Sequence, residues 1–196
     1  GSSSTTTITN NGLGTLSLTG ATITASNNNV GKTLTLTGFN TGDNRISSNI
    51  LRGTDGTSSA TSLSKTGAGT WILSDANTIG VGAYGAAGNV VIGNGRLVLD
   101  YETNDVLALA SNVALAGGTL EIRGKSGAGN VTAETLGNLT LNTNTGHSQL
   151  VVNRNGGSGC LRDLDLVQSI IRAVRGAISI PVTVKIRSGW RGEGRN

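Results

Sequence analysis

KTGAGTWILSDANTIG at Lys65–Gly80, followed across a Gly-rich turn by GNGRLVLD at Gly93–Asp100, decides how this chain folds. Its two halves contain GTWIL and GRLVL, each a glycine followed by apolar residues two apart. A strand points alternate side chains to opposite faces, so Trp71 and Leu73 share one face, as do Leu97 and Leu99. Working outward, GTLSL (Gly14–Leu18), GKTLTLTG (Gly31–Gly38), GTLEI (Gly118–Ile122) and GNLTL (Gly137–Leu141) repeat the sentence. The first apolar positions, 16, 34, 71, 97, 120 and 139, leave gaps of 18, 37, 26, 23 and 19. The gap of 37 is close to twice 18, so one more copy is expected between Leu34 and Trp71, and NRISSNILRG (Asn44–Gly53) supplies it.

One such strand cannot bury its apolar side alone, but repeats of this length stacked coil on coil share a continuous core. Glycine and asparagine at the corners supply the positive-φ bends that each coil needs. The expectation is an all-β parallel solenoid in which Leu16, Leu34, Trp71, Leu97, Leu120 and Leu139 align in one inward column, with Ser17, Thr35, Val98 and Glu121 facing outward. An antiparallel all-β sandwich would use the same alternation and turns. The fixed period favours the solenoid.

Composition agrees with a thin stacked core. The 196 residues include 31 Gly, 1 Pro, 3% aromatic and 13% charged residues, where an ordinary globular domain carries about 25% charge. No run of about 18 apolar residues exists to span a membrane as a helix. The chain opens GSSSTTTITN and contains no Met, so it is expected to be processed or, in preference, a fragment.

The net charge of +4 is localised. Residues 1–155 hold 8 Lys+Arg and 8 Asp+Glu, whereas 156–196 hold 7 and 3, and Cys160 and Pro181 also lie in that last part. This composition break sets the expected organisation: a polar lead over 1–9, solenoid over 10–155, a Gly-rich linker over 156–160 and a different fold over 161–196. In the tail, Leu164, Val167, Ile170, Ile171 and Val174 recur at helical spacing in LRDLDLVQSIIRAVRG, with Asp163 as cap, Arg172 and Arg175 in the last turn and Gly176 ending it. PVTVKIR, Pro181–Arg187, then reads as a β-branched strand, and a helix followed by such a strand is an α/β signature.

Chemistry-bearing motifs are sparse. GVGAYG (Gly80–Gly85) is a literal G-x-G-x-x-G, but a strand pattern follows it where a dinucleotide site needs a helix. SNNNVGKT (Ser26–Thr33) imitates a phosphate loop, yet Ser26 replaces the first Gly and LTLTG continues as a strand. His147, the single histidine, sits in the polar turn NTNTGHSQL. Among the scattered acids, Asp100 and Glu121 are the best pair for a two-carboxylate glycosidase arrangement across neighbouring coils, and both also read as solvent-facing charges.

The stretch that opens this section resembles the passenger-associated repeat of Gram-negative autotransporters, K-x-G-x-G-T-L-x-L-x-G-x-N-T. Lys65, Gly67, Gly69, Thr70, Leu73, Asn77 and Thr78 match, while Trp71 stands where Leu is usual and Asp75-Ala76 replace Ser-Gly. The resemblance implies a right-handed β-helix at the cell surface, attached through a translocator. It further implies a structural or adhesive role without catalysis and a host or neighbouring-cell surface as partner; no nucleic acid partner and no membrane span are expected of it.

The tail resembles the tRNA-dihydrouridine synthases, flavoenzymes on a TIM barrel, whose pattern L-R-D-x-x-L-V-x-x-I-V-x-A-V then I-P-V-T-V-K-I-R-x-G-W is met from Leu161 to Trp190 by LRD, LV, AV, IPVTVKIR and GW. By that resemblance Lys185 lies at the flavin mononucleotide and Arg187 faces the cofactor or RNA. The family's catalytic Cys stands in N-x-G-C-P upstream of the helix. Cys160, followed by Leu161, does not match it. About 40 residues of tail amount to one helix and one of eight barrel strands. The expectation is therefore an inactive fragment, a chain that is no enzyme, and FMN only if the tail belonged to a complete barrel.

Overall fold

The computed structural model describes residues 4–20, 22–24, 32–51, 61–74, 89–102, 112–126, 138–142 and 146–154, together with Thr132 and Arg172. The chain is wound in successive coils, each laying one strand in each of two sheets. The first coil holds β1 (Ser4–Asn10), β2 (Ser17–Leu18) and β3 (Thr22–Thr24), and the second β4 (Lys32–Gly38), β5 (Asn44–Ile46) and β6 (Asn49–Leu51). Then come β7 (Thr61–Lys65) with β8 (Thr70–Leu73), and β9 (Asn89–Ile92) with β10 (Arg96–Asp100). β11 (Asn112–Leu115) with β12 (Thr119–Gly124), and β13 (Leu139–Leu141) with β14 (Gln149–Arg154), complete the series. All of β1 but its last residue, Asn10, thus lies inside the stretch expected as a polar lead.

The first six-stranded sheet runs β1-β4-β7-β9-β11-β13, the second β2-β5-β8-β10-β12-β14, and β3 pairs with β6. Every pairing among the described strands is parallel. That excludes the antiparallel sandwich and establishes the parallel β-solenoid. Partners in the ladder lie 23 to 30 residues apart, as Leu99–Ile122 and Ile122–Val152 show at the two extremes.

The inward residues do not form the single column expected. Leu34 and Leu139 belong to the first sheet, in the column Leu34, Leu63, Val90, Val113 and Leu139. Trp71, Leu97 and Leu120 belong to the second, where Asn44 precedes them and Leu150 follows. Leu16 also lies on the second-sheet side, its carbonyl accepting from Arg45 N–H at 2.8 Å. The motif opens a strand in either sheet, so gaps of 18 and 19 measure the walk from the second sheet round to the first sheet of the next coil. The extra copy expected in NRISSNILRG is present as β5, between β2 and β8.

The core cluster joins both sheets and includes Leu36, Trp71, Leu73, Ile92, Leu97 and Leu115, all buried. The turn between the sheets is itself laddered: Arg96 N–H donates to Gly69 O at 3.1 Å and Thr119 N–H to Gly95 O at 2.9 Å. Stacking turns this closely requires glycine. Gly67 and Gly95 have φ of 68° and 63°, and a Cβ on Gly95 would collide with the carbonyl oxygens of Gly67 and Gly69.

Two polar side chains interrupt the inward columns, and both are satisfied by the turns. Lys65 stacks between Leu36 and Ile92. Its buried ammonium donates to the carbonyls of Thr66 (2.7 Å), Gly67 (2.8 Å) and Asn94 (3.1 Å). Asn44 donates from Nδ2 to Thr70 O at 2.8 Å and accepts at Oδ1 from Asn10 Nδ2 (2.6 Å) and Leu16 N–H (2.9 Å). Burying either group without partners would cost about 1–3 kcal/mol or more.

Candidate functional site

Five charged residues of the described region, Arg45, Arg96, Asp100, Glu121 and Arg123, share the outward face of the second sheet. Because Trp71 and Leu97 point inward, Thr70, Ile72, Arg96, Val98, Asp100, Glu121 and Arg123 point outward. The expectation that Asp100 and Glu121 are solvent-facing is corrected: their relative exposures are 5% and 2%. Burial is tolerated because each is paired. Arg45 Nη1 lies 2.9 Å from Asp100 Oδ2, reaching across the intervening β8. Glu121 is held by Arg96 Nη1 at 2.7 Å on one oxygen and by Arg123 Nε at 2.8 Å and Asn153 Nδ2 at 2.9 Å on the other.

These pairings decide against the glycosidase reading. Burial alone would raise the Glu121 pKa, but the hydrogen bonds from Arg123 and Asn153, with the charges of Arg123 and Arg96, hold it below the ordinary carboxylate value. A general acid needs the opposite shift. Asp100 and Glu121 are structural ions that tie neighbouring coils together.

Beside them runs an open groove of about 470 Å³, lined among others by Thr41, Asp43, Thr70, Arg96, Thr119 and Arg123. Thr70, Arg96 and Thr119 are direct ladder partners on three successive coils. Asp43 precedes Asn44, the partner of Trp71, and so extends the row to a fourth coil. A second, smaller groove of about 300 Å³ lies over Asn89, Asn112 and Asn138 on the outward face of the first sheet. There Asn138 N–H donates to Asn112 Oδ1 at 3.0 Å.

The remaining sequence candidates resolve as follows. His147 is exposed, its Nε2 lying 3.0 Å from Gln149 Nε2. Among the described residues no group of three His, Cys, Asp or Glu could hold a metal, and no helix is long and apolar enough to cross a membrane. Lys32 and Thr33 of the imitation phosphate loop open β4 rather than a helix. GVGAYG, Cys160, Lys185 and Arg187 lie outside the described residues, and of the helix expected in the tail only Arg172 is described, in helical conformation.

Comparison with known proteins bears on the tail. The family model described as dihydrouridine synthase matches residues 133–196, a stretch that takes in β13 and β14 as well as the tail. The tRNA-dihydrouridine synthase B of Pseudomonas syringae is 37% identical over 86 residues, 43% of this chain and 25% of that protein. That of Yersinia pestis is 46% identical over 57 residues, covering 29% and 18%, and that of Xanthomonas campestris 50% over 46 residues, covering 24% and 14%. The chain thus spans a quarter or less of the length of these relatives. No solved structure matches. The comparisons overturn the expected passenger function and, with it, the adhesin and outer-membrane reading and the expectation of no enzyme: what they find is an enzyme family. The physical reason is that the G-x-L-x-L repeat encodes only coil geometry, which any parallel solenoid shares, whereas IPVTVKIRSGW is specific beyond what a buried strand requires. The C-terminal third of this chain is similar to the dihydrouridine synthases.

Proposed function

We propose that the chain carries part of an FMN-dependent tRNA-dihydrouridine synthase, and that the activity it belongs to is the reduction of uridine in tRNA. The match of residues 133–196 to that family carries the reading. The tail's charge supports it: 7 Lys+Arg against 3 Asp+Glu over 156–196 is the balance expected of a segment that meets a phosphate backbone. Lys185 and Arg187 stand two apart in the sequence, so a strand there would put them on one side; they are the residues proposed to face cofactor and RNA.

The described residues do not themselves fit a flavin. The two grooves are open, and neither is lined by an aromatic residue that could stack on an isoalloxazine ring. The buried cation Lys65 already spends three N–H donors on carbonyls. A flavin site on this reading belongs to the tail.

The test is to express the natural gene product in a bacterial strain stripped of its own dihydrouridine synthases and to measure dihydrouridine in bulk tRNA by mass spectrometry, with visible absorbance of the purified protein. Restored dihydrouridine and a flavin spectrum, both lost in Lys185→Ala, are expected. A colourless protein and unmodified tRNA overturn the proposal.

A further inference from the structure

The groove on the outward face of the second sheet is not used by the proposed activity, and its lining is chemically selective. Arg96 and Arg123 are each fixed by one N–H on Glu121, through Nη1 and Nε respectively. A guanidinium has five N–H donors, so each retains further donors held in a set orientation by a buried carboxylate. Asp43 stands at the other end of the row, with the hydroxyls of Thr70 and Thr119 on either side of Arg96. Successive strands are about 4.8 Å apart, so the row from Asp43 to Thr119 spans about 14 Å and crosses the strands at right angles.

We propose that this groove binds an extended acidic oligosaccharide, a uronate-containing chain lying along the solenoid axis. One sugar carboxylate is taken by N–H donors of Arg96 and Arg123 that Glu121 does not use, in charge-assisted hydrogen bonds. The hydroxyls of Thr70 and Thr119, two coils apart with Arg96 between them, meet the hydroxyls of sugar rings on either side of that carboxylate. Asp43, at the end remote from the arginines, accepts from sugar hydroxyls. A nucleic acid fits worse: duplex backbones carry one negative charge per about 1.7 Å, while the groove offers two arginines already shared with Glu121 and an opposing Asp43.

The experiment is isothermal titration of the whole chain with a tri- or tetragalacturonate, its fully methyl-esterified counterpart, and bulk tRNA. Binding of the free acid, at least tenfold weakening by esterification and at least tenfold weakening in Arg96→Gln are expected. Arg96 is 46% exposed at its side chain, and circular dichroism checks that the variant keeps its fold. Thr119→Val provides a second variant that leaves the ion pairs intact, with several-fold weakening expected. Equal binding of acid and ester, undiminished binding by a folded Arg96→Gln, no binding of the acid, or preference for tRNA each overturns the proposal. None of these outcomes reports on flavin or on tRNA reduction, so this inference and the proposed function fail separately.

Discussion

The two sheets are built from one alternation and end in opposite states on their outward faces. In the first, the outward column of Thr7, Thr35, Ser64, Val91 and Ala114 is exposed or half-buried. In the second, Arg45 is half-buried, but Ile72, Val98 and Glu121 are buried, and Asp100 on the same face is buried with them. Sheet pairing and strand parity are the same on both sides. Among the described residues, the ion pairs that reach from one coil to another lie on the second sheet.

The comparison breaks first at the inward columns, where both sheets depend on packing. Trp71→Ala removes the largest buried side chain of the second sheet together with its hydrogen bond to Thr37 O. It is expected to cost about 4 kcal/mol, and Leu36→Ala in the first sheet about 3 kcal/mol, by urea denaturation. If Trp71→Ala proves nearly silent, the shared core is wrong.

Lys65 sharpens the comparison through pH. Burial lowers its pKa from 10.5 to about 8. Between these values the unfolded chain binds the extra proton, so stability rises as pH goes from about 8 to 10.5. Lys65→Met leaves three carbonyls without their donor and is expected to cost about 2 kcal/mol at pH 7. It should also abolish that rise. Melting curves of both proteins at pH 7, 8, 9 and 10 decide it, and a parallel pH response in the two would refute the assignment.

Glu121 acts with the same sign at the acid end, where stability again rises with pH. Its folded pKa lies below the ordinary carboxylate value, so its contribution is present above about pH 4.3 and disappears as pH falls through the folded pKa. Glu121→Gln is expected to destabilise by about 2 kcal/mol at pH 7, because Arg96 and Arg123 lose their counter-charge, with the gap to wild type closing in acid. A gap independent of pH would mean that shape, not charge, matters there. At the small end, Thr35→Val on the outward face of the first sheet should shift stability by no more than about 0.5 kcal/mol. A larger loss would show that this face is covered too.

Much of the fold was legible because glycine turns and apolar alternation act within a few residues. The solenoid and the hidden copy at β5 followed from them. The two-sheet division was missed although a signal was present: NVVI at 89–92, NVAL at 112–115 and NLTL at 138–141 form a second motif, which opens the strands of the first sheet. Merging it with G-x-L-x-L hid the coil length. The site was less legible. Glu121 reads as an ordinary outward acid, and nothing adjacent in sequence announces Arg96, 25 residues away, or Asn153, 32 residues away.

Strand parity, the turns and the similarity of the tail to the dihydrouridine synthases were therefore legible in the sequence alone. Which strands meet, which outward face is buried and which charges pair were decided only by the tertiary structure. In a parallel ladder every cross-strand partner lies a full coil away, and the length of that coil varies from 23 to 30 residues with the turns. The turns absorb these differences while each strand keeps its inward and outward sides, so the neighbour across the ladder cannot be found by counting along the chain.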